Sequence, residues 1–449
     1  MNADGSQAHP LIKTDPGFHL FKPTWFPTSK RIAYFRYRIE NGQANFTLES
    51  RNLQGADPVA LVSSPKIYDF AWAQPGRLIY TANEFRPNQF DSNLWQLHFD
   101  PETGKPQGQP QRLTDWTGFS FSDPQLTADA KRLVFLNDHG QSDVYIGELT
   151  QNGAELKSPQ RLTLDDRLDW PGAWLADGKT VLFYSDRNGH FDIYKQAVTD
   201  RDPQSIATAT TDKWNPEISP DAKWILYTEW PIPAEGAAVP SGKIMRAPIA
   251  GGPAEPAMEI KGYPGIASSS LVLNSSGGFP SFRCPRRPGA DCVVAEAPSA
   301  SEKQITFTAF DPVQGRKSEL TKVAADPNEV RWDLSPDGTR IAVTLFDYKE
   351  GNVEIHPLAG GTPQKISVLP YPELVAVAWS ADGQSLYLDS YSSRGTTIIH
   401  SSLTGDPKPL FKSTWEIFSL SVSPDGHYLA LGPVIYNANA WTIAPFPVK

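Results

Sequence analysis

The sequence predicts an all-β fold in which one four-stranded antiparallel unit is repeated along the chain. Two observations support this prediction. The 449 residues include 41 Pro, 33 Gly, 13 Trp, 15 Tyr and 22 Phe, and these residue types favour turns and short strands over long helices. A strand–turn–strand phrase such as WDLSPDGTRIAVT at 332–344 also recurs, with turn aspartates roughly 43–48 residues apart. That period is typical of one blade of a β-propeller.

The turn of this phrase, Ser335-Pro336-Asp337-Gly338, explains why two strands meet there. Proline presets φ at the second position, the aspartate bonds backbone ahead of it, and glycine adopts the left-handed conformation that reverses the chain. The strand RIAVTLF follows with little charge, as expected of a strand that is buried on both faces.

A third and a fourth strand follow each phrase, for example in SDRNGHFDIYKQA at 185–197 and PQRLTLD at 159–165. Nine repeats can be counted, although irregular units leave seven to nine blades possible. The last repeat lacks its fourth strand, and HPLIKTD at 9–15 resembles the missing one. We therefore expect a single domain, 1–449, closed by the N-terminal strand. The predicted blades are 16–65, 66–116, 117–166, 167–210, 211–262, 263–326, 327–370, 371–414 and 415–449 with strand 9–15.

Charge and hydropathy exclude two classes of partner. The net charge of −9 and the pI near 5.5 argue against nucleic acid, because a phosphate backbone requires a positive field. The basic run Arg283–Arg287 is predicted to be a solvated hairpin tip. No stretch approaches the roughly 20 apolar residues of a membrane helix, so direct membrane insertion is not expected.

The two cysteines, Cys284 and Cys292, flank a Pro-Gly pair in FRCPRRPGADCVV. Facing positions on a hairpin would allow a disulfide, and two buried thiols are the equal alternative. A disulfide would indicate an oxidising compartment.

Polar residues at the start of each first strand are the candidate ligand-binding residues. First strands line the channel of a propeller, and polar groups beside aromatic rings are typical of a binding site. For each residue the alternative is a solvated charge in a hydrated channel. The candidates are Lys22, Asp69, Asp123, Asp169, Trp170, Trp214, Asn215 and Arg331.

No catalytic, metal or cofactor site is predicted. The string GFSFS at 118–122 lacks the closing glycine of a nucleophile elbow and no helix follows it. Phosphate-binding loops and zinc motifs are not found, and the eight histidines are scattered.

The Ser-Pro-Asp-Gly turns, the second turn Ser185–Gly189 and the outer strand Arg161-Leu162-Thr163 resemble the TolB-like, WD-repeat-like propeller family. Segments such as QSDVYIGEL look most like propellers that end bacterial proteins behind a Ser/Thr kinase or winged-helix domain. The resemblance implies a bacterial sensory or protein-binding module outside the cytoplasm. A similar propeller caps the hydrolase domain of prolyl-oligopeptidase relatives.

The sequence thus predicts a non-catalytic scaffold or sensor that binds a protein, peptide or small ligand at the channel mouth. Two alternatives stay open. One is an enzyme that acts on a glycan or peptide with channel carboxylates, and the other is the accessory propeller of a peptidase or kinase. The resemblance and the cysteine pair suggest a periplasmic location, whereas the chain shows neither a signal peptide nor a transmembrane segment.

Overall fold

Antiparallel strands account for nearly all regular structure in the computed structural model of the protein. The structure describes residues 10–15, 17–40, 43–74, 76–84, 91–116, 120–230, 241–260, 281–297, 303–327, 329–345 and 350–446. None of the helices in these ranges has the length and apolar character that a membrane crossing requires.

The chain packs as two compact units, of which unit 1 comprises Met1–His139 and Tyr436–Lys449 and unit 2 comprises Gly140–Ile435. The expectation of a single domain over 1–449 stays a prediction.

Unit 1 contains two four-stranded sheets, each paired in chain order, and the first strands of a third. The first sheet is β1 (His19–Trp25), β2 (Arg31–Glu40), β3 (Gln43–Asn52) and β4 (Val59–Ser64). The second is β5 (Ile67–Gln74), β6 (Arg77–Glu84), β7 (Asp91–Phe99) and β8 (Pro106–Arg112). The third begins with β9 (Phe121–Leu126) and β10 (Leu133–Ser142).

Unit 2 opens with β11 (Tyr145–Thr150), a 3₁₀ turn (Gln151–Gly153), β12 (Glu155–Leu156) and β13 (Gln160–Arg161). Five four-stranded sheets follow, each again in chain order. Their strands are β14 (Asp169–Trp174), β15 (Thr180–Ser185), β16 (Asp192–Ala197), β17 (Gln204–Ala207); β18 (Asp212–Ile218), β19 (Trp224–Trp230), β20 (Gly242–Pro248), β21 (Glu255–Ile260); β22 (Ser281–Arg283), β23 (Cys292–Glu296), β24 (Ile305–Asp311), β25 (Gly315–Val323); β26 (Val330–Leu334), β27 (Arg340–Leu345), β28 (Asn352–Pro357), β29 (Gln364–Ser367); and β30 (Leu374–Trp379), β31 (Ser385–Ser392), β32 (Gly395–Ser402), β33 (Pro407–Ser413).

Two strands remain, β34 (Glu416–Val422) and the long β35 (Tyr428–Ile443). β35 pairs with β34 and, through Tyr428–Leu431, with β11, which also pairs with β12 and β13. This set forms the sixth blade of unit 2.

The innermost strands of unit 2 contact one another in a closed series. β14 contacts β18, β18 contacts β22, β26 contacts β30, and β34 contacts both β30 and β14. Between β22 and β26 the Trp332 indole N–H donates to the Ser281 hydroxyl at 2.8 Å. The predicted all-β propeller fold of four-stranded antiparallel blades is therefore confirmed.

Closure by an N-terminal strand at 9–15 is not confirmed. Residues 10–15 form no strand, and His9 lies outside the described residues. The last blade instead takes its third strand from β11. The predicted blade boundaries, among them 117–166, stay predictions. Each repeat offers similar strands, so local sequence does not determine which strands pair.

Apolar side chains from neighbouring sheets pack together between the blades. One such cluster joins Phe307 of β24 to Trp332 of β26, with ring centroids 5.1 Å apart. In unit 1, Phe35 and Phe70 pack between the first two sheets. A single blade cannot bury both of its faces alone, so neighbouring blades cover them. This burial explains why the second strands carry little charge.

Candidate functional site

A cavity of about 240 Å³ lies within unit 2, and all six blades of that unit contribute to its wall. Its lining comes from the ends of the innermost strands and from the turns that follow them. We call it the unit 2 cavity. Residues from each blade that line it include Ala173, Glu217, Arg283, Asp333, Trp379 and Ser421.

Four charged side chains face this cavity: Glu217, Arg283, Arg286 and Asp333. Arg283 lies between the two acids, with its Nη1 3.5 Å from Glu217 Oε1 and its Nε 3.4 Å from Asp333 Oδ1. Asp333 Oδ2 also accepts the backbone N–H of Trp379 at 2.8 Å. Two carboxylates therefore share one guanidinium, at distances longer than those of close charge-assisted hydrogen bonds.

Arg286 is held differently. Its Nη2 donates to the Val422 carbonyl at 2.6 Å and its Nη1 to the Ser423 carbonyl at 3.4 Å. Within the described ranges, no carboxylate oxygen pairs with it inside the 4.0 Å limit of an ion pair. The residue is exposed, and it lines the cavity. Its positive charge is thus presented to the cavity without a bound counter-charge.

A bulge in β18 sets the direction of Glu217. Trp214 pairs with Thr228 and Glu217 with Leu226, so three steps on β18 oppose two on β19. Asn215 takes the extra position with φ of 52°, a left-handed conformation that costs a non-glycine residue on the order of 1–2 kcal/mol. Bulges re-aim side chains near functional sites, and this one lies beside the cavity.

Arg286 lies in a loop that a disulfide closes, and Arg283 directly precedes that loop. Cys284 and Cys292 are joined in the structure, with Cα atoms 4.2 Å apart, and Cys292 is fully buried in β23. The backbone N–H of Arg286 donates to the Pro336 carbonyl at 2.9 Å. The predicted hairpin tip joins β22 to β23, and Arg286 and Arg287 are exposed in it, whereas Arg283 is half-buried in the cavity wall.

Enclosure by protein changes the protonation of these groups. Burial raises the pKa of Glu217 to about 7 and also raises the pKa of Asp333, and Arg283 partly opposes both shifts. Desolvation of the guanidinium by the surrounding protein lowers the pKa of Arg286, although the residue as a whole is exposed. The Glu217 and Asp333 side chains are only 13% and 20% exposed. Near neutral pH Glu217 therefore carries less than its full negative charge.

Three of the predicted site residues meet in unit 1. The Lys22 ammonium pairs with Asp69 and lies 3.3 Å from Asp123 Oδ1. Asp69 Oδ2 accepts the Asp123 backbone N–H at 2.6 Å, and Oδ1 accepts that of Phe70 at 2.6 Å. Lys22 and Asp123 both have positive φ, 52° and 47°, at bulges of β1 and β9. This cluster links the innermost strands of three sheets, which accounts for all three residues structurally.

Four other predicted residues are not part of the cavity wall: Asp169, Trp170, Trp214 and Arg331. Asp169 is fully buried and pairs with Arg187 at 3.1 Å, and burial raises its pKa to about 7. Burial likewise lowers the pKa of Arg331 to about 10. These residues begin innermost strands, whereas the cavity is lined by the ends of those strands. Of the eight predicted residues, only Asn215 lines the cavity.

A positional signal in the repeat identifies the residues that were missed. Glu217 and Asp333 both stand two places before the serine of the Ser-Pro-Asp turn. Ala173, Ala378 and Ser421 occupy the same place in their repeats, and all five line the cavity. The acids at this repeat position could therefore have been found from the sequence.

No group of three or more His, Cys, Asp or Glu suited to holding a metal ion occurs in the described part of the chain.

The fold and the site together define a class: a β-propeller whose blades surround a polar cavity. No family model matches the chain. A stretch of 125 residues is 28% identical to the Tol-Pal system protein TolB of Francisella tularensis subsp. tularensis (strain WY96-3418). The match covers 27% of this chain and 27% of that protein, so the chain spans only about a quarter of the length of the curated relative.

Two solved structures resemble this chain weakly. TolB from Acinetobacter baumannii has a TM-score of 0.35 and 16% identity, over 73% of this chain and 77% of that chain. An oligogalacturonate lyase in complex with manganese has a TM-score of 0.38 and 12% identity, over 69% of this chain and 76% of that chain. The fold therefore rests on the strand pairing described above.

Proposed function

We propose that the protein is a non-catalytic binding module that takes a peptide segment or small ligand into the unit 2 cavity. One observation carries the proposal. Six blades converge on a cavity whose wall combines the indoles of Trp174 and Trp379 with two arginines and two acids. Apolar rings beside a few convergent polar groups are the usual composition of a ligand site.

The local similarity to TolB is consistent with a binding role. That relative is, by its name, a component of the Tol-Pal system, which points to a protein as the partner. The same resemblance leads us to propose three further properties. These are a sensory role, attachment to a kinase or regulator, and a location outside the cytoplasm.

A second candidate function rests on Glu217. Its pKa of about 7 lies in the range that suits a general acid near neutral pH, and Asp333 is a second carboxyl group in the same cavity. Arg283, however, contacts both acids and occupies the place between them where a substrate atom would have to lie. The geometry therefore favours binding over glycan or peptide cleavage.

Blocking the cavity tests the binding proposal. Ala176 is exposed, lines the cavity and stands second in the turn between β14 and β15. The variant A176W should fill the opening with an indole. Ala128 is the matched control, because it is exposed at the same turn position between β9 and β10 in unit 1.

The full chain and both variants would be applied to an array of random tetrapeptides, and bound protein would be quantified. Binding to a subset of peptides that A128W retains and A176W loses would support the proposal. Absence of binding, or binding that A176W leaves intact, would overturn it. If the unchanged chain cleaves the peptides, and both A176W and E217Q prevent this cleavage, the protein would be an enzyme and not a binding module.

A further inference from the structure

The charges of the unit 2 cavity identify the chemistry of its ligand, an inference that rests on the proposed function. We infer that Arg286, assisted by Arg283, binds a carboxylate group of the ligand. The ligand is accordingly an acidic molecule, most simply a peptide segment that carries Asp or Glu.

The first step concerns Arg286. Arg286 is exposed and lines the cavity, so its guanidinium is accessible to a ligand. Two carbonyl oxygens, those of Val422 and Ser423, hold Arg286, and Asp333, Glu217 and Asp425 act on it only from a distance. Two carbonyls occupy only part of its five N–H donors. The remaining donors can form the forked contact that a carboxylate accepts.

The second step concerns Arg283. It lies 3.5 Å from Glu217 and 3.4 Å from Asp333, which is within ion-pair range but longer than a strong charge-assisted hydrogen bond. A ligand carboxylate that approached Arg283 could replace Glu217, provided that Glu217 takes up a proton. Arg286 lies in the loop that the Cys284–Cys292 disulfide closes, Arg283 directly precedes that loop, and both arginines line the same cavity.

The third step excludes the opposite charge. A cationic ligand would have to pair with Glu217 or Asp333 while two guanidinium groups line the same wall. Arg283 already contacts both acids, and repulsion between like charges in an enclosed site opposes a further cation. An anion meets no such competition at Arg286.

The experiment compares three capped peptides and one small molecule. Acetyl-tetraglutamate amide, acetyl-tetraglutamine amide, acetyl-tetralysine amide and citrate would be titrated into the full chain. Tryptophan fluorescence provides the readout because Trp174 and Trp379 line the cavity. We expect saturable binding of tetraglutamate or citrate and none of tetraglutamine or tetralysine. Tetraglutamate binding indicates a peptide source for the carboxylate, and citrate binding alone indicates a small acid.

The matched variants are R286Q and R287Q. Both remove one positive charge from the same segment, but only Arg286 lines the cavity. In the R286Q variant the affinity for the acidic probe should fall by about tenfold or more, as expected for the loss of a charge-assisted contact. R287Q should remain within about twofold of the unchanged chain, since a rim charge acts mainly through screened attraction.

Three outcomes would overturn the inference: equal losses in R286Q and R287Q, preference for tetralysine, and no binding of any acidic probe. The inference and the proposed function fail separately. Tetralysine or tetraglutamine binding that A176W abolishes would preserve the cavity as the binding site and remove only the carboxylate assignment.

Discussion

At the scale of single residues, the site depends on the contrast between two arginines in one wall. Arg283 is shared by Glu217 and Asp333, whereas Arg286 is anchored by the carbonyls of Val422 and Ser423. Arg283 therefore serves as the counter-ion of two acids, whereas Arg286 keeps N–H donors that a ligand can use. The charge of Glu217 matters to ligand binding, because an ionised Glu217 attracts the Arg283 guanidinium and a neutral one does not.

Binding of an acidic probe should therefore depend on pH through Glu217. Burial raises the pKa of Glu217 to about 7, so the group is mostly neutral at pH 6 and mostly ionised at pH 8. Ionised Glu217 repels the probe and engages Arg283. The affinity for acetyl-tetraglutamate amide should fall roughly three- to tenfold from pH 6 to pH 8, the size of an interaction near 1 kcal/mol.

The E217Q variant provides the control for this prediction. Glutamine keeps the size of the side chain and cannot ionise, so it should bind the probe at pH 8 about as well as at pH 6. The other charged groups at the site are Asp333, Arg283 and Arg286, and Asp425 acts on Arg286 from a distance. A pH profile that E217Q leaves unchanged would assign the titration to Asp333, and the account given for Glu217 would be wrong.

Residue chemistry at the turns was predictable, whereas the position of the cavity was not. Asp337 accepts the backbone N–H of Thr339 at 3.1 Å, as the Ser-Pro-Asp-Gly phrase predicts. The predicted site residues lie at or near the starts of innermost strands. The lining residues lie at their ends, because β-bulges such as that at Asn215 turn side chains inward there.

At the scale of elements, the repeated turn does more than reverse the chain. Gly338 has φ of 75°, and a Cβ at this position would lie 3.0 Å from Pro285 Cβ and 3.1 Å from its Cγ. The turn between β26 and β27 therefore packs against the segment that carries Arg286. Its glycine meets both a conformational and a steric requirement.

Gly338 and Gly289 allow these two requirements to be separated. Gly289 has nearly the same φ, 76°, but a Cβ there would meet nothing within 4 Å. Both G338V and G289V should lose on the order of 1–2 kcal/mol of unfolding free energy because valine resists positive φ. G338V should lose about 1–3 kcal/mol more through overpacking against Pro285.

Urea denaturation of the two variants measures this difference. Equal losses would mean that Pro285 can move aside, so that only the backbone conformation matters. A larger loss in G289V would contradict the turn packing described here.

At the scale of the whole molecule, the C-terminal part of the chain contributes residues to both compact units. The first residues of β35 pair with β11 in unit 2. Beyond its end, Phe446 packs in unit 1 against Leu133 and Phe135, and its N–H donates to the Lys131 carbonyl at 2.7 Å. Phe446 is thus part of the core of unit 1.

Removing the Phe446 ring should therefore destabilise strands far away in sequence. Phe446 is 2% exposed, and replacing a buried phenylalanine with alanine costs about 3–5 kcal/mol. In F446A, hydrogen exchange should accelerate in β9 and β10. The control is L369A, which shortens a side chain that is 60% exposed in unit 2 and should leave the same amides unchanged. If hydrogen exchange in β9 and β10 is unchanged in F446A, Phe446 does not stabilise that core.

What the sequence alone determined is the local design: an all-β chain of repeated strand–turn–strand units, with Pro, Asp and Gly where each turn needs them. These properties depend on residues close together in the chain, so periodicity reveals them. Only the tertiary structure decided that β11 completes the last blade in unit 2 and that Arg283 and Arg286 face a cavity. Similar repeats offer equivalent strand edges, and the choice among them depends on long-range packing that no single repeat encodes.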